Sequence, residues 1–201
     1  MQYTHTHTHT RTTTTTTPPK ECPDTRASWD GWLKVFQQRH ANNVSIVFHS
    51  FPLPYHKNGF DAAQAALVMQ DALTTTTWRA RRTRMTPAQA FVATADVLFA
   101  GQGTFQTDVT VNVTQEALFT TILAPLAAKL VISESAFVQG MGQTSGRATA
   151  FNTQARTAWK FGTKRGVSGT PTFAANGVIC GDTNTGCGAW TLAEWEAWLV
   201  L

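Results

Sequence analysis

Apolar side chains recur along most of the chain at spacings that predict secondary structure, and the first nineteen residues are the exception. Trp29, Trp32, Leu33 and Phe36 repeat at helical intervals, which predicts a helix over 26–40. Val44, Ile46 and Phe48 alternate with Ser45, Val47 and His49, the period of a strand partly buried on both faces, and Pro52 and Pro54 end it. Further helices are expected over Asn58–Leu73, from Pro87 in a first turn to Ala100, over Thr114–Leu130, and over Thr144–Lys164 with Phe151, Ala155, Ala158 and Trp159 on one side. Near the C-terminus, Val167–Phe173 opens a short strand, Asn176-Gly177 is a strong two-residue turn, and Val178–Cys180 returns. Leu192, Trp195, Trp198 and Leu199 then line one face of a closing helix over Thr191–Leu201. This order predicts an α/β layer fold with a helical insertion. Val44–Phe51 is expected to pair with Thr172–Ala175, and that segment with Val178–Cys180.

The start of the chain has no such pattern. Thr4–Thr10 alternates threonine with histidine, Thr12–Thr17 is threonine alone, and Pro18-Pro19 follow. A segment with so few apolar groups cannot offset its ordering entropy, so residues 1–19 are expected to be a disordered low-complexity tail. A translated ACACAC repeat encodes the same alternation, and such a segment would hide a native start, a leader or a first strand. His5, His7 and His9 within it are not taken as a metal site.

Composition narrows the function classes. At 201 residues with 42% hydrophobic and 14% charged residues, the chain suits one domain with an insertion. The net charge of +4 is modest, and much of it sits in Arg79, Arg81, Arg82 and Arg84 beside Thr74–Thr77. That run reads as a solvated loop, so no nucleic-acid partner is expected. No stretch approaches the roughly 20 apolar residues of a membrane span, and the start carries no signal-peptide pattern. Compartment and oligomeric state stay open. No nucleotide-binding, zinc-finger or hydrolase-elbow motif is present.

The chemistry-bearing residues are few. Cys22-Pro23-Asp24-Thr25 stands at the start of the first predicted helix, where Asp24 or Thr25 would cap it and proline is tolerated. A cysteine there faces unpaired backbone N–H groups and the positive end of the helix dipole, both of which favour thiolate. The Thr25 hydroxyl, three residues on, is placed to donate to the sulfur. The plainer reading is a small buried cysteine beside a cap. His49 and His56 flank Phe-Pro-Leu-Pro-Tyr without carboxylate or thiol partners at ligand spacing and are expected to be structural. Cys180 and Cys187 could bridge across a Gly/Asn/Thr loop in an oxidising compartment. Asn43-Val44-Ser45 and Asn112-Val113-Thr114 match the N-glycosylation sequon, a short pattern that also arises by chance.

Three segments together resemble a known family. Cys22-Pro23-Asp24-Thr25 at a helix start, Phe51-Pro52-Leu53-Pro54-Tyr55-His56 after a strand, and Gly166-Val167-Ser168-Gly169-Thr170-Pro171 before a hairpin occur in the order of DsbA-like proteins of the thioredoxin-like superfamily. The resemblance spans 21–200 and is nearest to a eukaryotic group carrying CPDS or CPDC where this chain has CPDT. It implies a thioredoxin-like α/β fold over 20–201, with a helical insertion at about 74–145. Two departures stand out: the strand that normally precedes the cysteine is absent, its place taken by the Thr/His tract, and the second motif cysteine is Thr25. The resemblance implies Cys22 and Thr25 as catalytic residues. It also implies Pro23, Asp24, Thr170 and Pro171 as substrate contacts, with Pro171 cis against the cysteine. It further implies a thiol-disulfide oxidoreductase-like activity through a mixed disulfide with a peptide or thiol substrate, or action on a glutathione conjugate as in kappa-class glutathione transferases. No cofactor beyond glutathione is suggested. A thioredoxin-fold binding module that holds an extended peptide at the Pro171 loop without turnover is the alternative.

Overall fold

The structure, a computed structural model, describes residues 11–15, 23–40, 44–75, 84–142, 149–182 and 190–199. Contacts divide the chain into two units, one built from both ends of the chain and one carried by Ser50–Arg165.

The first unit holds a four-stranded sheet. β1 (Arg11–Thr15) runs parallel to β2 (Ser45–Phe48) and antiparallel to β3 (Thr172–Ala175), and β3 pairs antiparallel with β4 (Val178–Asp182). The order is β2-β1-β3-β4. This corrects two expectations. Arg11–Thr15, assigned to a disordered tail, is an inner strand of the sheet, and the first strand is therefore present. It also stands between β2 and β3, which do not pair directly. The physical reason lies in the side-chain type. Threonine is β-branched and favours extended backbone whatever its polarity, and an inner strand gains ladder hydrogen bonds on both sides. Counting only apolar groups missed both effects. The hairpin forms at the expected turn, with Asn176 at φ 51° and Gly177 at φ 86°, the positive values such a two-residue turn requires.

Helices cover this sheet. α1 (Pro23–Ser28) passes through a π turn (Trp29–Leu33) into α2 (Lys34–Arg39), and α9 (Leu192–Leu199) closes the chain. Their inward side chains meet the sheet in a core of Phe36, Val44, Phe173, Ala175, Trp195 and Leu199. Trp195 is fully buried and stands edge-on to Phe173 at 5.7 Å. Burying side chains of this size contributes about 1.5–3 kcal/mol each, so this small core is held chiefly by its aromatic groups. One polar tie joins α9 to the end of α2: Glu196 accepts from Arg39 Nη1 at 2.8 Å and lies 2.7 Å from His40 Nε2.

The second unit is helical among its described residues: α3 (Gly59–Thr74), α4 (Pro87–Ala100), α5 (Gln115–Ala117), a π turn (Leu118–Leu123), α6 (Ala124–Ala128), α7 (Glu134–Met141) and α8 (Ala150–Lys164). It is wider than the expected insertion at 74–145, and the helix expected over Thr144–Lys164 begins at Ala150. α4 starts as Pro87 predicts, with Thr86 and Gln89 exchanging side-chain to backbone bonds in a capping box. α3 is central. Its buried alanines, Ala62, Ala65, Ala66 and Ala72, let neighbours approach closely, and a Cβ on Gly140 of α7 would sit 2.7 Å from Val68. Its one buried amide, Gln64, donates to the carbonyls of Gly140 at 3.3 Å and Met141 at 3.0 Å, and accepts from Asn152 at 2.9 Å. Those carbonyls end α7 and have no partner within it, so Gln64 satisfies groups that would otherwise be costly to bury. No helix among the described residues is long and apolar enough to cross a membrane.

Candidate functional site

Strand register defines one edge of the sheet. β1 and β2 run parallel and leave the sheet at the same end, where Thr14 is level with Phe48. β3 runs the other way, and its first residue, Thr172, pairs with Thr15, the last residue of β1. The Gly169-Thr170-Pro171 loop therefore reaches the sheet at the end where β1 departs toward Cys22. The opposite end carries the hairpin, where Ala175 pairs with Val178. In sheets of this kind, ligands bind outside the carboxyl ends of the parallel strands, which is this edge.

The loop is shaped locally. Thr170, Pro171 and Thr172 are buried, and the Thr170–Pro171 peptide is cis. The Thr172 hydroxyl donates to the Gly169 carbonyl at 2.7 Å, which fixes the last turn before β3. Gly166, at φ 77°, makes the reversal after α8, a conformation that a residue with a Cβ adopts only under strain.

After β1, the next described element in the chain is α1, which begins at Pro23. Pro23 suits this position, because its ring presets φ and the missing N–H would have had no partner there. Asp24 and Thr25 consequently lie inside the first turn, and the expectation that one of them caps the helix is corrected. Cys22, the residue directly before α1, lies outside the described residues, as does Cys187. The proposed Cys22–Pro171 contact and the Cys180–Cys187 bridge both fall there. Trp29, at the start of the π turn that follows α1 and buried at 2% exposure, packs edge-on against Phe48 at 5.9 Å, at the exit of β2. The exposed Arg26–Asp30 pair at 3.3 Å adds little to this.

Sequence reasoning did not single out His49 as a member of this edge, yet it follows Phe48 where β2 leaves the sheet. The signal was available in the strand boundary, but its meaning depends on the parallel pairing with β1. His56 belongs to the helical unit and lies against Tyr55 at 4.8 Å. That unit also contains a cavity of about 330 Å³ lined by Gln64, Gln115, Glu116, Phe119, Met141 and Asn152, none of them a residue expected at the site. Near its rim, burial raises the Asp61 carboxyl above its ordinary range, opposed by a 3.0 Å hydrogen bond from Gln115.

No family model and no curated protein matches the chain. Solved structures do. A proposed protein-disulfide isomerase from Pseudomonas syringae superposes with a TM-score of 0.65 at 12% identity, covering 96% of this chain and 94% of that one. DsbA from Chlamydia trachomatis gives 0.64 at 16% identity over 96% and 86%. The oxidoreductase DsbA from Xylella fastidiosa gives 0.61 at 16% identity over 95% and 84%. Identities this low establish the fold and nothing finer. The chain has the thioredoxin-like α/β fold of DsbA-like proteins, with a helical insertion.

Proposed function

We propose that the protein is a thiol-disulfide oxidoreductase working through one cysteine, Cys22. The observation that carries this reading is the register Thr15↔Thr172, which brings the Thr170–Pro171 loop to the end of the sheet where the chain leaves for Cys22 and α1. The likeness to solved DsbA structures supports it at the level of fold.

The chemistry follows from the motif. The positive end of α1 favours the thiolate of the residue before it, and the motif offers the Thr25 hydroxyl, three residues on, as a donor to that sulfur. The thiolate attacks one sulfur of a substrate disulfide. A new S–S bond forms to Cys22, the old one breaks, and the second substrate sulfur leaves as thiolate. With threonine at the fourth motif position, Cys22 has no resolving partner inside the motif. An external thiol, glutathione among them, attacks the mixed disulfide and restores Cys22. Pro23, Asp24, Thr170 and Pro171 border the bound substrate, whose extended backbone pairs with that of Thr170.

The test is alkylation of Cys22 and exchange with a glutathione–peptide mixed disulfide. Fast alkylation at about pH 6, where an ordinary thiol is almost fully protonated, is expected, as is loss of exchange in Cys22→Ser with the fold intact. Thr25→Cys should create an internal disulfide. Alkylation at the rate of an ordinary thiol, with no exchange, would instead assign the chain to binding without turnover, the peptide held at the Pro171 loop.

A further inference from the structure

We propose that Asn112 is an N-glycosylation site, modified by an oligosaccharide donor carried on a polyprenyl pyrophosphate. Two sequons occur in the chain, and the fold separates them. In Asn43-Val44-Ser45 the middle residue is buried at 8% exposure, and Ser45 is the first residue of β2, paired in register with Arg11. Asn43 itself lies outside the described residues. In Asn112-Val113-Thr114 both Asn112 and Thr114 are exposed, and Asn112 sits on a turn between α4 and α5. Val113 is not proline, which the sequon requires.

The turn is built to carry a bulky group without loss. Its backbone is held from below by Lys57, whose ammonium donates to the carbonyls of Thr110, Val111 and Val113, the last two at 3.1 and 3.2 Å. Asn58 holds the same turn, donating to Phe105 O at 2.7 Å and to Thr110 Oγ1 at 2.6 Å. None of these bonds uses the Asn112 side chain, and no hydrogen bond to it is present among the described residues. The Thr114 hydroxyl accepts from Ala117 N at 3.2 Å as the cap of α5, which leaves its own proton to donate.

A second observation points to the same occupant. Val111, next to Asn112, is 64% exposed, and Val109, on the same turn, is 56% exposed. Apolar groups exposed together on a turn are a liability for solubility, and a glycan one and three residues away would shield them. In the transfer the Asn112 amide nitrogen bonds to C1 of the sugar and the C–O bond to pyrophosphate breaks. The pyrophosphate leaves with the electron pair and the amide proton passes to a base. No oxidant or reductant takes part. The modification would also place the chain in a secretory lumen, where disulfide chemistry operates.

The full chain is expressed behind a secretory leader in a eukaryotic host, with a C-terminal reporter sequon known to be used there. Molecules whose reporter is glycosylated have met the transferase, and only these are peptide-mapped. The expected result is a glycan on Asn112, converted to aspartate by peptide-N-glycosidase, lost in Asn112→Gln and retained in Thr114→Ser and Asn43→Gln. An unmodified Asn112 in reporter-modified molecules would overturn the proposal. This readout does not depend on Cys22 chemistry.

Discussion

Replacing Thr13 by proline probes the inner strand that the threonine tract supplies. Thr13 is in the middle of β1, level with Val47 on one side and Ala174 on the other. Proline there removes a backbone N–H from a strand paired on both edges and leaves its acceptor without a partner. The lost bond is worth about 1 kcal/mol and the stranded acceptor about 1–3 kcal/mol more, so the variant should lose roughly 2–4 kcal/mol. For a chain of this length that lowers the melting temperature by about 4–16 °C. Thr13→Val, which keeps the β-branch, should change little. Thermal melts followed by far-UV circular dichroism, with urea midpoints as a check, measure both variants. If Thr13→Pro melts with the wild type, β1 does not hold the centre of the sheet, and the account of that edge loses its foundation.

Three more substitutions test separate parts of the structure. Gly162→Ala gains about 1 kcal/mol of helix propensity but sets a Cβ 2.6 Å from the ring of Phe51, itself stacked on Trp159 at 6.3 Å. Overpacking of this kind costs about 1–3 kcal/mol, so a net loss is expected in urea melts, and a gain would show that Phe51 yields freely. His40, then Arg39, holds the Glu196 carboxyl below its ordinary range, so the stability it contributes is present at neutral pH and is lost as pH falls through the lowered value. Glu196→Gln should therefore be less stable than wild type at neutral pH, with the urea midpoints converging in acid; a constant gap would refute the linkage. Asp61 has the opposite sign. Burial raises its folded value, so stability falls as pH rises from the ordinary carboxylate range through the raised one. Asp61→Asn, which still accepts from Gln115, should stabilise at neutral pH and not in acid. A destabilised variant at neutral pH would show that the charge is favoured there.

Much of the architecture could be read from spacing alone. The Asn176-Gly177 hairpin, the Pro87 start of α4 and the apolar face of α9 depend on neighbours close in sequence, and they form where expected. β1 was hidden because its case rests on partners at 45–48 and 172–175, and no apolar pattern advertises them. The π turns at Trp29–Leu33 and Leu118–Leu123 leave the helical spacing nearly intact and so gave no signal. α7 was missed because its Ser133 cap and short length carry little periodicity. The site divides in the same way. The motifs proposed for it, Cys22-Pro23 and Thr170-Pro171, stand out locally. That the second reaches the sheet where β1 leaves it is a property of strand register, as is the position of His49.

The measurement that bears most directly on the central claim is disulfide trapping between Cys22 and the Pro171 loop. In a Cys180→Ser/Cys187→Ser background, Thr170→Cys places a second thiol at the β1 exit edge, and Val178→Cys places one at the hairpin end. A disulfide forms only when the two Cα atoms approach within about 7 Å. Mild oxidation followed by peptide mapping should give a 22–170 bridge within one molecule and no 22–178 bridge. A 22–178 bridge, or no 22–170 bridge in a folded chain whose thiols are otherwise reactive, would contradict a site made by Cys22 and the Thr170–Pro171 loop.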